Sequence, residues 1–365
     1  MGHAFDRPLL DSILDLARWA PSGDNAQPWL ITINSETAFT LDISKFKKTV
    51  YNLLPMPDLT SIGMFIENAS IAAQKAGYAL EYDVSDTHVT VELKKQDSPI
   101  HDELTAFIKQ RSVNRFPYKL GALKEKTKDE LLSALGENLK ITWLEDIGSR
   151  SRVARLMMRT TNARLRIPET YQVHKDLIDW SGKDSETKLP ILSLGMSKAS
   201  AKIMNWVIGT EKRNKTLMSL PGTTLMTQIE LDLLPALFCS GHFIISFDPE
   251  KIQDPNPSDY IQAGRSMQRF WLTLAKEHMV MQPWYATLMF SLYLDRNISF
   301  TKNTKTAQKI NTQFKSLLEH HNLPLSHVFF TGRVGFPKKI SPTRSIRKPV
   351  SSLIVATQIK NDHST

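Results

Sequence analysis

A helix, a strand and a glycine-bearing helix occur in the same order twice along this chain, and that repetition limits the fold more than any single motif. RPLLDSILDLARWAPSGDNAQPWLITI, beginning at Arg7, is echoed by KDELLSALGENLKITWLED, beginning at Lys128; in each, a helix leads into a strand around Trp29 or Trp143. SIGMFIENASIAAQKAGY is likewise echoed by QAGRSMQRFWLTLAKEHM. Pairing Gly63 with Gly264 also pairs Ile71 with Leu272 and Ala73 with Leu274. Two amphipathic helices can look alike by chance, but a repeated order of three elements favours duplication.

Hydrophobic spacing fills in the rest. Leu9, Leu10, Ile13, Leu14 and Ala17 predict a helix over 7–20 that runs into the turn cluster Pro21–Asn25, and WLITIN (29–34) alternates as a strand. A helix over about 61–76 follows, with Gly77 suited to its C-terminal cap, then a hairpin ALEYDV-SDT-HVTVELK. After Pro99, helices are expected at 102–111, 127–135 (Thr127 as N-cap) and 149–165, with a strand at 141–146. Residues 167–230 are rich in Ser, Thr, Lys and Met with weak periodicity, and read as an insertion. A buried strand at 236–247, helices at 258–278 and 305–320, a strand at 326–334 and a basic tail complete the chain. The expected fold class is α+β.

Lys and Arg outnumber Asp and Glu by 46 to 37, a surplus that could serve nucleic acid, a membrane surface or an anionic ligand. Its distribution decides: no basic run or basic helix face occurs, and the surplus gathers at Arg111–Lys119 and Arg333–Lys348. Two compact clusters fit a phosphate-bearing small molecule better than a polymer or a bilayer. The lone Cys239 sits in an apolar run and reads as a core residue. The opening MGHAFDRPLLD lacks a secretory pattern, and the apolar stretch Met279–Leu294 is interrupted by Gln282 and Pro283; a cytoplasmic protein is expected. There is no GxGxxG, no P-loop, no metal-ligand spacing among the histidines and no nucleophile elbow. Asp24 and Glu67 lack an acid–base partner at useful spacing and read as solvent-facing.

The chemistry-bearing segment is Ala17-Arg18-Trp19-Ala20-Pro21-Ser22-Gly23-Asp24-Asn25-Ala26-Gln27-Pro28-Trp29, a helix ending in a turn rich in hydroxyl, amide and backbone donors. Such a turn can hydrogen-bond the polar edge of a flat heterocycle, although an ordinary Asx-type turn has the same composition. Arg111-Ser112-Val113-Asn114-Arg115 offers two guanidiniums four residues apart, suited to bidentate capture of a phosphate or, equally, to a solvated helix end.

APS-x-x-N-x-QPW resembles the signature with which nitroreductase-fold flavoproteins line their FMN site. The resemblance implies that Pro21, Ser22 and Asn25 contact the flavin, while Gln27, Pro28 and Trp29 set the turn and its packing. Arg111, Ser112, Val113 and Arg115 resemble the phosphate-binding segment of that family. The tail GRVGFPKKISPTRSIRKP resembles its closing strand and G-[YF]-P turn, followed by phosphate-reaching residues, here Arg344 and Arg347 ahead of Lys348. Gln282-Pro283-Trp284 occupies the place where family members turn backbone N–H groups to the flavin's N5 edge.

In single-module members the phosphate segment precedes the APS turn, and each flavin sits between two subunits. Here the first module keeps the turn and the second keeps the Arg pair and basic tail. The resemblance therefore implies a monomeric pseudo-dimer with one FMN, made of modules at 1–100 and 101–365, each a mostly antiparallel sheet wrapped by helices. It is closest to the duplicated, dormancy-associated branch of mycobacterial proteins, through SIGMFIENASIAAQKAGY and HKDLIDWSG (174–182), and implies a lid at 167–230. The implied activity is FMN-dependent oxidoreduction from NAD(P)H to a nitroaromatic, quinone or similar acceptor, with no side chain required as a catalytic acid or base. Two alternatives stay open: an FMN-storing protein without turnover, and a flavin-dependent dehydrogenase or oxidase of a biosynthetic intermediate.

Overall fold

Residues 7–357 are described in the computed structural model and fold as α+β. The first half runs α1 (Pro8–Ala17), β1 (Leu30–Ser35), β2 (Ala38–Asp42), α2 (Met56–Lys75), β3 (Tyr78–Val84) and β4 (His88–Lys95). Next come α3 (Glu125–Leu135), β5 (Leu139–Leu144) and α4 (Ile147–Arg166). An interposed region holds α5 (Pro168–Leu177), the two-residue strands β6 (Ile178–Asp179) and β7 (Leu189–Pro190), α6 (Lys198–Ile208), α7 (Glu211–Ser219), α8 (Leu225–Gln228) and α9 (Leu234–Leu237). The chain then continues through β8 (Gly241–Phe247), α10 (Pro257–Lys276), β9 (Val280–Pro283), α11 (Tyr285–Asp295), α12 (Thr304–Glu319), β10 (Val328–Gly335) and β11 (Ile354–Thr357).

The two main sheets share one plan. In β1-β2-β4-β3 and in β5-β8-β10-β9 the strands lie in the order first, second, fourth, third, with every neighbour antiparallel. The long helix of each half, α2 or α10, enters between its second and third strands. β11 departs from this plan: it pairs in parallel with β1, Ile31 opposite Ile354, so the C-terminal tail returns to the first sheet.

Side-chain periodicity explains why these segments are strands. Ile31 and Ile33, Phe39 and Leu41, and Val89, Val91 and Leu93 are the buried positions of half-covered strands, alternating as the pleat requires. Trp29 and Phe39 pack on Phe65 of α2, with ring centroids 5.1 and 6.3 Å away. β8 and β10 are instead buried at every position, with α10, α4 and α11 packed against them. The apolar runs FII in β8 and VFF in β10 follow from that cover. α10 starts at a capping box: Asn256 Oδ1 accepts from Ser258 and Asp259 N, and Asp259 Oδ2 accepts from Asn256 N at 2.9 Å.

α2 and α10 cross at the two glycines that the repeat pairs. A Cβ on Gly63 would lie 1.9 Å from the Ile261 carbonyl oxygen, and one on Gly264 would lie 2.3 Å from that of Thr60. In the register pairing Gly63 with Gly264, these two contacts are images of each other. So are the Glu67–Arg269 ion pair (2.9 Å) and the Gln268–Asn68 hydrogen bond (2.7 Å). Reciprocal contacts of this kind are what a two-fold relation produces.

Glu67 is not solvent-facing. It is buried and accepts from both Arg265 and Arg269, because α10 brings two guanidiniums against the middle of α2. Glu67→Gln leaves Arg265 without a carboxylate and Arg269 with Asp102 alone (3.0 Å); since both keep some exposure, urea denaturation is expected to show a loss of about 2 kcal/mol.

Several elements differ from their sequence expectation. The helix expected at 102–111 shrinks to one 3₁₀ segment, Glu103–Phe107, which Asp102 caps by accepting from Leu104 N. Lys124, not Thr127, precedes α3, and Thr127 is buried inside it. The strand expected from 236 starts at Gly241, because Leu234–Leu237 closes a helical turn first. Residues 167–230 are largely helical but bury little: α7 and α8 have no buried residue, and Ile203, Trp206, Leu225 and Met226 are exposed, so apolar positions do not mark a covered face. Cys239 is a buried core residue, its thiol pushed up to about 11 by burial. No helix among the described residues is long and apolar enough to cross a membrane.

Candidate functional site

The turn after α1 is held in a costly conformation. Asp24, Asn25 and Gln27 have φ of 54, 59 and 52°, the left-handed region that non-glycine residues avoid. Side chains fix it from several directions. Ser22 Oγ accepts from Gln27 N at 3.0 Å. Asn25 Nδ2 donates to the carbonyls of Glu186 (2.9 Å) and Ile346 (3.2 Å), and Gln27 Nε2 donates to that of Glu186 (2.7 Å). Gln27 Oε1 accepts from Lys348 N at 2.9 Å. The turn is therefore bound both to the interposed region and to the tail, and Asn25 Oδ1 is left buried without a partner.

Those bonds carry the tail arginines to the turn. Arg347 Nε donates to the Ala20 carbonyl at 3.0 Å, and Arg18 Nη1 donates back to the carbonyls of Arg347 (3.2 Å) and Lys348 (2.9 Å). Arg344 lies 5.3 Å from the centre of the Trp19 ring and donates through Nη2 to the Arg111 carbonyl at 3.2 Å. Arg111 lies 4.6 Å from the Trp271 ring centre and reaches the Trp19 carbonyl at 3.4 Å. Three guanidiniums from two remote segments thus converge beside one turn.

Their charges are poorly offset, Asp184 drawing on Arg344 without pairing with it. Among the described residues none of the three forms an ion pair, whereas their neighbours Arg18 and Lys109 share Asp15. Arg111 Nε and Nη1 and Arg344 Nε are buried without acceptors. Burial, with the charges of Arg347 and Arg344, holds Arg111 well below the usual arginine range, and burial with Arg344 and Arg18 pushes Arg347 down to about 9. Burial lowers Arg344 as well, against the pull of Asp184. Orphaned donors around like charges make a cradle for a multivalent anion.

The other expected site residues are distributed around this cradle. Ser112 and Val113 are half-buried, and the segment is stitched to β9 by a Val113–Met281 bridge and by Asn114 N donating to the Met281 carbonyl at 3.2 Å. Arg115 is not brought to the three arginines; it faces Asp24 and Arg164 and reaches the Ser193 carbonyl at 3.4 Å. Gln282 and Pro283 lie in β9 with their polar groups engaged inside the sheet. Gln282 Oε1 accepts from Arg333 Nε at 2.8 Å, and the following Trp284 N donates to the Thr331 carbonyl at 3.1 Å.

A second polar group, without a motif to announce it, adjoins the turn through Asp24. Arg164 at the end of α4 donates from Nε to the Tyr51 hydroxyl at 3.0 Å, and that hydroxyl is 2.8 Å from His174 Nε2 on α5. Tyr51 also stacks on Phe290, with ring centroids 5.9 Å apart. By exposed area Asp24, Tyr51, Arg115, Arg164 and His174 are only half-buried, yet burial is the largest influence on the ionisation of each. It pushes Asp24 and Tyr51 up and His174 down to about 3; in Arg164, Tyr51, Asp24 and Asp232 outweigh it and raise the pKa. Surface hollows of about 330 and 340 Å³ lie elsewhere, at Phe116–Phe238–Lys339 and at Trp206–Arg213.

Asp232 borders the same group, buried, with Oδ1 accepting from Thr161 at 3.1 Å. Burial pushes its carboxyl up to about 7, against Thr161 and Arg164. The folded protein keeps this proton to higher pH than the unfolded chain does, so its contribution to stability falls as pH rises from about 4 to about 7. Asp232→Asn removes that slope. Unfolding free energies from urea titrations across this window are expected to move in the variant's favour by up to about 1.4 kcal/mol per pH unit.

No family model matches the sequence, and no curated protein matches it. Among solved structures the chain is similar to a nitroreductase-like family protein from Bacillus cereus, with a TM-score of 0.33 and 13% identity over 70% of this chain and 96% of that one. It is similar also to a nitroreductase with bound FMN from Desulfitobacterium hafniense DCB-2, with a TM-score of 0.33 and 10% identity over 68% of this chain and 95% of that one.

Proposed function

We propose that this chain binds one FMN and is an FMN-dependent oxidoreductase of nitroreductase type, taking electrons from NADH or NADPH and passing them to a small acceptor such as a nitroaromatic or quinone. The observation that carries the reading is the cradle of Arg111, Arg344 and Arg347: two buried guanidiniums and one half-buried, none in an ion pair among the described residues, with Arg111 Nε and Nη1 and Arg344 Nε lacking acceptors, beside the APS-x-x-N-x-QPW turn. A phosphate monoester supplies the charge and acceptors they lack. Arg111, Arg344 and Arg347 would hold the phosphate, with Ser112 and Val113 at its rim. Pro21, Ser22 and Asn25 would meet the ring system, where Asn25 Oδ1 has an unused acceptor. Arg115, Gln282 and Pro283 are assigned to the ring side rather than to the phosphate.

Bound FMN supplies hydride and single-electron chemistry that no side chain offers. The protein's share is to bind, orient and exclude water, which the 167–230 region, bonded to the turn through the Glu186 carbonyl, is suited to do as a lid. The shared strand order and the reciprocal contacts at Gly63 and Gly264 support two related modules at 1–100 and 101–365, one flavin site being kept in a monomer.

Steady-state NAD(P)H oxidation by the FMN-loaded protein, with a nitroaromatic or a quinone as acceptor, tests the activity. Multiple turnovers per FMN are expected. Bleaching of bound flavin by excess NAD(P)H without turnover of any acceptor would sink the oxidoreductase and leave a flavin-binding protein.

A further inference from the structure

Between β6 and β7 the chain makes a loop, 180–188, whose tip is joined to the tail that carries two of the cradle arginines. We propose that this loop is a latch for the phosphate site: Asp184 is a positioning residue for Arg344, and a bound phosphate tightens the loop in return.

β6 and β7 close the ends of the loop, with Ile178 opposite Leu189 and Asp179 opposite Pro190. Ser185 is the only buried residue within it and bridges in parallel to Ser345 of the tail. Both backbone groups of Arg344 are bonded to this tip. Asp184 Oδ1 accepts from Arg344 N at 2.8 Å, and Ser185 N donates to the Arg344 carbonyl at 3.3 Å. Ile346 N donates to the Ser185 carbonyl at 2.9 Å, and Ser345 Oγ donates to that of Lys188 at 3.0 Å. The far end of the same segment is held by other partners: Arg347 and Lys348 are bonded to Ala20, Arg18 and Gln27. The loop therefore fixes the backbone at Arg344, and the turn fixes it at Arg347.

Charge gives the loop's bonds something to resist. Arg111, Arg344 and Arg347 repel one another, and Arg344, the half-buried member, is the one with a way out to solvent. The bonds from Asp184 and Ser185 oppose that escape while Arg344 Nε stays without an acceptor. Asp184 is itself exposed, and a loop that buries one small polar residue opens at low cost. A phosphate removes the repulsion and engages Arg344 in the position that the loop holds. Such coupling is reciprocal: if the loop strengthens phosphate binding, phosphate strengthens the loop by the same factor. Riboflavin, which lacks the phosphate, has no charge with which to do so.

The inference rests on the FMN reading above. Its test is the ratio of FMN to riboflavin affinity in the wild-type chain and in two Asp184 variants, together with hydrogen exchange. Asp184→Ala removes the acceptor for Arg344 N and is expected to lower the ratio about tenfold, with riboflavin affinity unchanged. Asp184→Asn keeps an oxygen acceptor at the same place and is expected to retain most of the ratio. In the wild-type protein, FMN is expected to slow amide exchange at 184–188 and 344–346 about tenfold, and riboflavin far less. An unchanged ratio in Asp184→Ala, equal losses of FMN and riboflavin affinity, or equal protection by the two flavins overturns the latch alone. Wild-type protein that binds FMN no better than riboflavin overturns the FMN reading and the latch with it.

Discussion

Replacing Arg111 with Met is expected to weaken FMN binding by about a hundredfold while leaving the flavin-free protein as stable as before, or more so. The two effects have one cause. Arg111 is 3% exposed, stacked on Trp271 and held beside Arg344 and Arg347, and among the described residues none of the three is in an ion pair. A guanidinium cannot shed its charge, so the fold bears both the lost hydration and the mutual repulsion until an anion arrives. Methionine keeps much of the stem's packing and removes that cost along with the binding energy. Arg115→Ala, whose side chain reaches the Ser193 carbonyl instead, is expected to cost far less FMN affinity. Loss of FMN binding together with a large drop in melting temperature would mean that Arg111 is structural instead.

The second large effect lies far from the arginines, at the helix crossing. Gly63→Ala puts a methyl group 1.9 Å from the Ile261 carbonyl oxygen and 2.9 Å from the Gly264 Cα, against backbone that has no rotamer to change. The helices must part, loosening the Glu67–Arg269 and Asn68–Gln268 contacts on either side, and a loss of about 3 kcal/mol or more is expected in denaturant unfolding. Gly264→Ala, meeting Thr60 O at 2.3 Å, should behave as its image. Gly121→Ala, with nothing within 4 Å, is the control and should be nearly neutral. Two mild glycine variants at the crossing would show that α2 and α10 are not held this closely.

How much of this was legible beforehand follows from where each signal lives. Strand alternation in WLITIN and HVTVEL and the capping of α10 are local, and the elements stand within a few residues of where spacing puts them. β2 and β11 were not anticipated: AFTLD is short, and IVAT is held by pairing with β1 more than three hundred residues away. α11 was hidden for the opposite reason, since YATLMFSLYLD is apolar on every side and buried throughout its middle, so it has no stripe to detect. In the site, Arg111, Arg344 and Arg347 could be named from short motifs, but their convergence depends on Asn25 and Gln27 gripping the tail. Arg164, Tyr51 and His174 carried no motif. They come from α4, a loop and α5, and only the fold brings them together.

The central claim is that the arginine cradle recognises the phosphate of FMN. Titrating flavin-free protein with FMN and, in parallel, with riboflavin, following the quenching of flavin fluorescence, tests it most directly. The account predicts saturable binding of one FMN per chain, with riboflavin weaker by about a hundredfold or more, the difference being the phosphate alone. Riboflavin binding as tightly as FMN, or no saturable binding of FMN, would contradict it.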